Sequence, residues 1–181
     1  MPNEDHPTRQ TLLDAGLALA ERDGLATITV DQIVAEAAVA KGTFYVHFHD
    51  REAYLVALHG AFHDQLRAAI RHAGAGLPPG RDRLLASTRA YLDGCLRSKG
   101  VKGMLIQARG VPEIAESVMA SNDRFARASR PDFEALGVPY VLETAHLYVA
   151  ATAEVAVLEA TRGRRNPRLR GALAQLLEPR S

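Results

Sequence analysis

One short stretch of this chain combines side chains that suit contact with a DNA groove. If residues Lys41–Phe48 form a helix, Phe44 and Phe48 share one face at about 100° per residue and must pack inward. The other side then holds small, apolar, hydroxylated and basic groups: Lys41, Gly42, Thr43, Tyr45, Val46 and His47. Glycine permits close backbone approach, valine can meet a thymine methyl, and hydroxyl or basic groups can reach base edges and phosphates. The pattern therefore predicts a DNA-reading helix.

The flanking residues supply the elements that would position this helix. Thr29 stands three residues ahead of Gln32 and directly before an apolar set, which is a capping box opening a short preceding helix. Two short helices joined by a three-residue turn predict a helix-turn-helix. Asp50 can cap the next helix, whose first turn brings Arg51 near the same DNA backbone. From pattern alone, a surface helix pair without special function stays the alternative, because short helix pairs are common.

The string from Val39 to Leu55 resembles the DNA-binding head of TetR-family transcription regulators, and the similarity extends upstream through Gly24 to the first helix. In that family, the start of the second helix, the Lys-Gly-Thr-aromatic-Tyr core of the third and a basic residue opening the fourth make most DNA contacts. The resemblance carries these roles to Thr29, Lys41, Gly42, Thr43, Tyr45, His47 and Arg51. Two positions depart from the family pattern, since Ala40 leaves the third helix without a side-chain cap and Arg51 replaces the usual lysine.

The composition bounds the class of protein. The chain has 181 residues, 47% of them hydrophobic and 24% charged, which is enough for one or two small domains with a core. No apolar run approaches the roughly 18 residues that span a membrane, and the N-terminus lacks the basic start of a signal peptide. A single cysteine, Cys95, excludes an internal disulfide. We therefore expect a cytoplasmic protein with no membrane partner.

The charge distribution opposes strong nonspecific DNA binding. The chain has a net charge of +1, but residues 1–52 hold four basic side chains against nine acidic ones, a net of −5. Phosphate neutralisation supplies much of the affinity of a DNA-binding protein, yet a few basic groups and helix N-termini suffice for the contacts. We expect a modest salt dependence, with a log–log slope no steeper than about −8 for a dimer.

The helical pattern continues beyond the head, so the predicted fold is all-α. The first helix runs from about Pro7 to Asp23, before Gly24, and the fourth runs from after Asp50 to about Ala73. Glycine and proline breaks then separate five more predicted helices: about 81–99, 101–109, 111–129, 138–162 and 167–178. We assign residues 1–52 to a helix-turn-helix DNA-binding domain and residues 53–181 to a helical ligand-binding and dimerisation domain. The fourth helix joins the two domains.

The last two predicted helices have more apolar surface than one chain can cover. The segment from Tyr140 to Ala160 is apolar nearly all round, and the final helix carries leucines on one side. This surplus predicts a homodimer, which would present two heads to a palindromic double-stranded DNA operator. The TetR resemblance implies a four-helix bundle built from these helices of both subunits. Arginines concentrate in residues 162–181, where a solvated helix face is favoured over a second nucleic-acid patch.

The C-terminal half also carries polar and aromatic residues inside apolar helices. A buried polar group needs a neighbour, a water or a ligand as its partner, and the family resemblance implies a small-molecule cavity here. The candidate effector contacts are His63, Tyr91, Cys95, Gln107, Phe125, His146, Tyr148 and Thr152. His59 and His63 are spaced as a metal pair could be, but no general-base glutamate lies between them. No metal site and no cofactor are predicted.

The sequence thus predicts a ligand-responsive DNA-binding transcriptional regulator, most consistent with a repressor that an unidentified small molecule releases from its operator. Core packing explains any single candidate effector residue, so a DNA-binding regulator controlled by a protein partner stays the first alternative. An all-helical enzyme is the second, and it is disfavoured because the chain has no phosphate loop, nucleophile elbow or placed carboxylate pair.

Overall fold

The structure, a computed structural model, describes residues 7–23, 28–98, 100, 103 and 112–178. Within these residues the chain forms eight α-helices and no strand, which confirms the predicted all-α class. The helices are α1 Pro7–Asp23, α2 Val30–Glu36, α3 Lys41–His47, α4 Arg51–Gly74, α5 Arg81–Arg97, α6 Pro112–Ala135, α7 Val141–Arg162 and α8 Pro167–Gln175. The predicted helix at 101–109 lies outside the described residues except for Gly103.

The chain divides into two compact units. The first comprises Met1–Asp64 and Ser98–Ser117, and the second comprises Gln65–Arg97 and Val118–Ser181. Helix α4 begins in the first unit and ends in the second. The assignment of residues 1–52 and 53–181 to separate functional domains stays a prediction.

Three aromatic rings form the core of the first unit beneath α3. Phe44, Phe48 and Tyr54 are buried, and their ring centroids lie 5.0–5.5 Å apart. The Tyr54 hydroxyl donates to the backbone oxygen of Leu12 at 2.9 Å. Gly16 makes room for that hydroxyl, because a Cβ at this position would lie 1.9 Å from it. The predicted inward face of α3 is therefore confirmed, and one glycine of α1 allows the core to close.

The turn between α2 and α3 is locally determined. The Thr29 hydroxyl accepts from Gln32 N while the Gln32 side chain accepts from Thr29 N, which confirms the predicted capping box. Ala40 precedes α3 without a side-chain cap, as predicted. Ala38 has a φ of 53°, in the left-handed region that residues other than glycine, asparagine and aspartate seldom enter. This conformation turns the chain from α2 into α3.

In the second unit, α7 packs against α5 and α8. Its buried residues all lie along one stripe, so the predicted burial of more than one face is not found within the single chain: Ala145, Tyr148, Thr152, Val155, Ala156 and Glu159. By length and composition alone α7 could cross a bilayer, with a mean hydropathy of 1.4. Its buried residues nevertheless include Glu159, which receives two hydrogen bonds from the Arg170 guanidinium. This buried carboxylate, paired within the protein, shows that one side of α7 contributes to the core of the second unit.

The predicted helix break at Arg130–Pro131 is wrong, because α6 continues through Pro131 to Ala135. Proline removes one backbone donor and strains a helix, but tertiary contacts hold the residues that follow it. Asp132 accepts from Arg83 at 2.6 Å and from the backbone of Gly80 at 2.9 Å, and Phe133 is fully buried. These contacts fix the last turn of α6 in helical geometry despite the proline.

Candidate DNA-binding surface and effector cavity

Helix α3 presents a mixed apolar and aromatic face to solvent. Val46 is 72% exposed and Tyr45 is 51% exposed, whereas Phe44 on the inward face of the helix is fully buried. Gly42 is exposed, and a Cβ at this position would meet nothing within 4 Å. No packing demand of the described residues therefore requires glycine at position 42. The helix exposes two large side chains and leaves bare backbone beside them.

Two contacts bring the predicted DNA-binding residues of different helices together. The Lys41 ammonium of α3 lies 2.8 Å from the Asp31 carboxylate of α2. The Arg51 Nε at the start of α4 donates to the backbone oxygen of Ile28 at 3.2 Å, next to Thr29. The beginnings of α2, α3 and α4 thus converge on one surface of the first unit.

Some of these groups are already engaged. The hydrogen bond and the charge of Asp31 raise the pKa of Lys41 above its ordinary value, so this ammonium stays charged and its attraction to DNA is partly neutralised. The Thr29 hydroxyl lies 3.1 Å from the Gln32 side-chain oxygen, in addition to its capping role. Thr43 and His47 are half-buried on the flanks of α3. The exposed groups of this surface that make no described contact are therefore Gly42 and Val46.

A cavity of about 310 Å³ lies in the second unit. Its walls come from the end of α4 and from α5, α6 and α7. Ile70, Leu84, Tyr91, Phe125 and Val149 supply apolar and aromatic surface. A cavity of this size with mostly apolar walls and a few polar groups has the usual character of a small-molecule site.

The cavity unites four of the predicted effector contacts and not the others. Tyr91, Phe125, Tyr148 and Thr152 line it, and the Tyr91 and Phe125 rings meet edge to face at 5.8 Å. His63 and Cys95 are buried outside its lining, and Gln107 lies outside the described residues. His146 is also outside the lining, and its ring nitrogens meet Leu142 O at 2.8 Å and Asp123 at 3.0 Å. Which residues touch an effector stays a prediction.

Polar groups in the cavity wall differ in how well they are satisfied. Thr88 and Tyr148 share a hydrogen bond of 2.9 Å, and burial raises the pKa of Tyr148 against the opposing effect of that bond. Thr152 is only 7% exposed, and its hydroxyl oxygen, Oγ1, has no hydrogen-bond partner among the described residues. An unpaired buried hydroxyl costs about 1–3 kcal/mol. Thr152 is therefore the cavity group most in need of a partner.

Several lining residues escaped sequence reasoning. Arg71, Arg83 and Asp132 contribute charge to the wall, and Asn122 contributes an amide. They come from three helices whose relative placement no local pattern defines. Asp132 gave no usable signal, because its burial follows from tertiary packing and the predicted helix ended before it. Arg71 had none, because a basic residue in a last helical turn is ordinary.

Comparison with known proteins gives the following similarities. Residues 12–58 match the family described as bacterial regulatory proteins, tetR family. The chain is 28% identical over 129 residues to the HTH-type transcriptional repressor NemR of Escherichia coli K12, an alignment that covers 68% of this chain and 63% of that repressor. The chain thus spans less than two thirds of the repressor's length.

Solved structures share the fold. A transcriptional regulator from Rhodococcus sp. Rha1 superposes with a TM-score of 0.78 at 19% identity, covering 93% of both chains. A TetR transcriptional regulator from Legionella pneumophila gives a TM-score of 0.74 at 16% identity, covering 97% of this chain and 100% of its own. The similarity extends well beyond the head to nearly the whole chain.

Proposed function

We propose that this chain is a homodimeric TetR-family repressor that a small molecule releases from a palindromic operator, because residues 12–58 match the tetR family of bacterial regulatory proteins. The observation that carries the proposal is the face of α3, where Tyr45 and Val46 stand in solvent beside a glycine that packing does not require. In this proposal Gly42 and Val46 approach base edges. Thr29, Lys41, Thr43, Tyr45, His47 and Arg51 bond base edges or phosphates around them.

Substitution of Gly42 separates DNA binding from folding. Gly42→Ala meets no atom within 4 Å and replaces a poor helix former, so stability stays equal or rises. If the backbone at position 42 approaches the DNA, the added methyl lowers operator affinity at least tenfold, or about 1.4 kcal/mol. The measurement is fluorescence anisotropy on a fragment selected from genomic DNA by the protein.

Gly60→Ala is the matched control. Gly60 lies in α4, and a Cβ there also meets nothing within 4 Å. It should gain stability and retain full operator affinity. Equal affinities of the Gly42→Ala protein and the Gly60→Ala protein would remove α3 from the DNA interface. Loss of binding in Lys41→Ala and Tyr45→Ala proteins that remain folded would place it there independently.

The proposed dimer surface is the exposed side of α7 with α8. Leu147 is 73% exposed and Leu176 is 66% exposed, so both helices present large apolar side chains that a second subunit can cover. Leu147→Glu should convert a dimer into a monomer in sedimentation velocity. Met119→Glu, on the 63% exposed Met119 of α6, is the control and should stay dimeric. A dimer that survives Leu147→Glu excludes this surface.

Helix α4 is the proposed connection between effector and operator. Its first residue, Arg51, is a proposed phosphate contact, and its last turns provide Ile70, Arg71 and Gly74 to the cavity wall. A ligand that prefers a shifted position of this helix changes the separation of the two heads and weakens operator binding. A hundredfold loss of affinity needs about 2.7 kcal/mol of coupling.

A further inference from the structure

The charged residues of the cavity wall leave one positive charge without a described partner. The wall contains Arg71, Arg83 and Asp132. Arg83 and Asp132 neutralise each other through a 2.6 Å ion pair, and Gly80 N also donates to the same carboxylate at 2.9 Å. Among the described residues no carboxylate lies within ion-pair distance of Arg71. The uncompensated charge in the wall is therefore cationic.

Two further arginines, Arg67 and Arg124, lie on the helices that form this wall but do not line the cavity. Burial lowers the pKa of Arg67 below its ordinary value, and the charges of Arg124 and Arg71 lower it further. Arg67 and Arg71 are one helical turn apart on α4, whereas Arg124 comes from α6. The Arg124 guanidinium makes its described bond to the neutral hydroxyl of Ser121 at 3.0 Å. Like charges held together by the fold attract an anion.

The remaining residues of the cavity wall determine which kind of ligand can carry such an anionic group. Tyr91 and Phe125 form an edge-to-face pair, and Ile70, Leu84 and Val149 add aliphatic surface. A cavity of about 310 Å³ holds roughly ten waters at about 30 Å³ each, so a compact ligand of roughly ten to fifteen non-hydrogen atoms fits it. The buried, unpartnered Thr152 hydroxyl offers one hydrogen bond to that body.

From this arrangement we infer that the effector is a compact organic anion with an aromatic or similarly apolar skeleton. Its carboxylate binds Arg71, and a polar substituent hydrogen-bonds to Thr152. The inference rests on the proposed effector function of this cavity and names the chemical class of its ligand. A neutral apolar compound gains nothing from the charge of Arg71, and a cation is repelled by it.

The test uses isosteric probes on the full chain. 2-Naphthoate and 2-naphthamide have the same apolar body and nearly the same shape, but only the first is anionic. Isothermal titration calorimetry at low ionic strength should give at least tenfold tighter binding of 2-naphthoate. Arg71→Gln should reduce this ratio below about threefold, because the variant replaces the cation by a shorter, neutral polar side chain. Arg71→Lys should retain most of the ratio.

Matched controls separate this role of Arg71 from a general loss of charge. Arg162→Gln removes an exposed arginine that has no described ion pair and does not line the cavity, and it should leave the ratio unchanged. For Thr152, 6-hydroxy-2-naphthoate should bind more tightly than 2-naphthoate, and Thr152→Val should abolish that gain. Absence of the gain in the unaltered protein would overturn the role of Thr152.

Equal binding of 2-naphthoate and 2-naphthamide to the unaltered protein would show that the cavity has no preference for anions. Although the cavity would still be a small-molecule site, this result overturns the inferred class of effector. Binding of neither probe at millimolar concentration also overturns it, since the cavity then does not accept compact apolar anions. Operator affinity is measured on the same preparations without probe. A protein that binds its operator but shows no anion preference fails only this inference, whereas one that binds no DNA fails the proposed function.

Discussion

The core beneath α3 is closed, whereas the second unit keeps a cavity within its core. In the first unit Tyr54 reaches across to Leu12, and the space left by Gly16 is fully used. In the second unit an opening of about 310 Å³ remains, and a buried hydroxyl on its wall has no partner among the described residues. Close packing in the first unit keeps the proposed DNA-binding surface in one shape, whereas incomplete packing in the second unit leaves room for a ligand.

The two units also differ in where they keep charge. The ion pairs of the first unit are solvent-exposed, as between Lys41 and Asp31. The second unit buries Glu159 with Arg170, and burial would raise the pKa of this carboxyl, but hydrogen bonds from Arg170 and from the Asn166 backbone outweigh burial and lower it. The second unit therefore relies on a buried ion pair, and this pair should be highly sensitive to substitution.

The largest expected effect follows from breaking that buried pair. Arg170→Met leaves the Glu159 carboxylate buried without its main partner and should lower the free energy of unfolding by about 3–5 kcal/mol. Chemical denaturation measures the loss. Arg165→Met is the control, because Arg165 pairs with Asp93 at 3.0 Å on the surface and such a pair contributes about 0–1 kcal/mol. Similar losses in both proteins would mean that burial of Glu159 is not the cause.

Acid should act on the same pair. The folded pKa of Glu159 lies below its ordinary value of 4.5, so its contribution to stability is present above that pH and is lost as the pH falls through the folded pKa. The Arg170→Met protein should show a weaker loss of stability over this acidic range than the unaltered protein. Parallel curves would contradict the depressed pKa.

Closure of the first core is tested at Gly16. Gly16→Ala brings a methyl 1.9 Å from the Tyr54 hydroxyl and should destabilise the protein by about 1–3 kcal/mol, despite the higher helix propensity of alanine. Tyr54→Phe removes the atom that clashes, so the double substitution should be more stable than Gly16→Ala alone. A double substitution whose losses simply add would show that the two sites do not compete for the same space.

Thr152 tests whether the second core keeps an unsatisfied hydroxyl. Thr152→Val replaces that hydroxyl by a methyl of similar size and should stabilise the unliganded protein by about 1–2 kcal/mol. Thr88→Val makes the same chemical change on the same cavity wall but removes the partner of the Tyr148 hydroxyl, so it should destabilise. Equal signs of the two changes in thermal or chemical unfolding would contradict the difference in hydrogen bonding.

The head was predictable because its signals are local. The capping box at Thr29 and the inward spacing of Phe44 and Phe48 each depend on residues within one turn, and all were confirmed. The cavity was predictable only in part: Tyr91, Phe125, Tyr148 and Thr152 were candidates by residue type, but Arg71 and Thr88 join them only through the packing of different helices. Local rules also failed where tertiary contacts dominate, as at Pro131 within α6.

Ala38 is a second place where the residue type did not indicate the backbone conformation, since glycine is the usual residue at a φ of 53°. Ala38→Gly should relieve this strain and stabilise the head by about 1 kcal/mol. Ala35→Gly is the control, because Ala35 is exposed within α2 and loses about 1 kcal/mol through helix propensity. Destabilisation by both substitutions would mean that Ala38 is not strained.

The smallest expected effect concerns the exposed pair on the proposed DNA surface. Asp31→Asn frees the Lys41 ammonium from its 2.8 Å partner and should raise affinity for operator and nonspecific DNA alike, because a lysine contact with phosphate carries no sequence information. The gain should be largest at low salt and shrink as ionic strength rises. Anisotropy titrations across a salt series measure both quantities.

Glu36→Gln decides whether the gain comes from Lys41 or only from net charge. Glu36 also lies on α2 and pairs with Arg22 at 3.1 Å, so its substitution removes the same charge from the same helix without freeing Lys41. If Lys41 is held back by Asp31, Asp31→Asn increases affinity more than Glu36→Gln, and Lys41→Ala cancels that excess. If the two substitutions raise affinity equally, the acidic head acts through its overall field, and Lys41 makes no phosphate contact that Asp31 restrains.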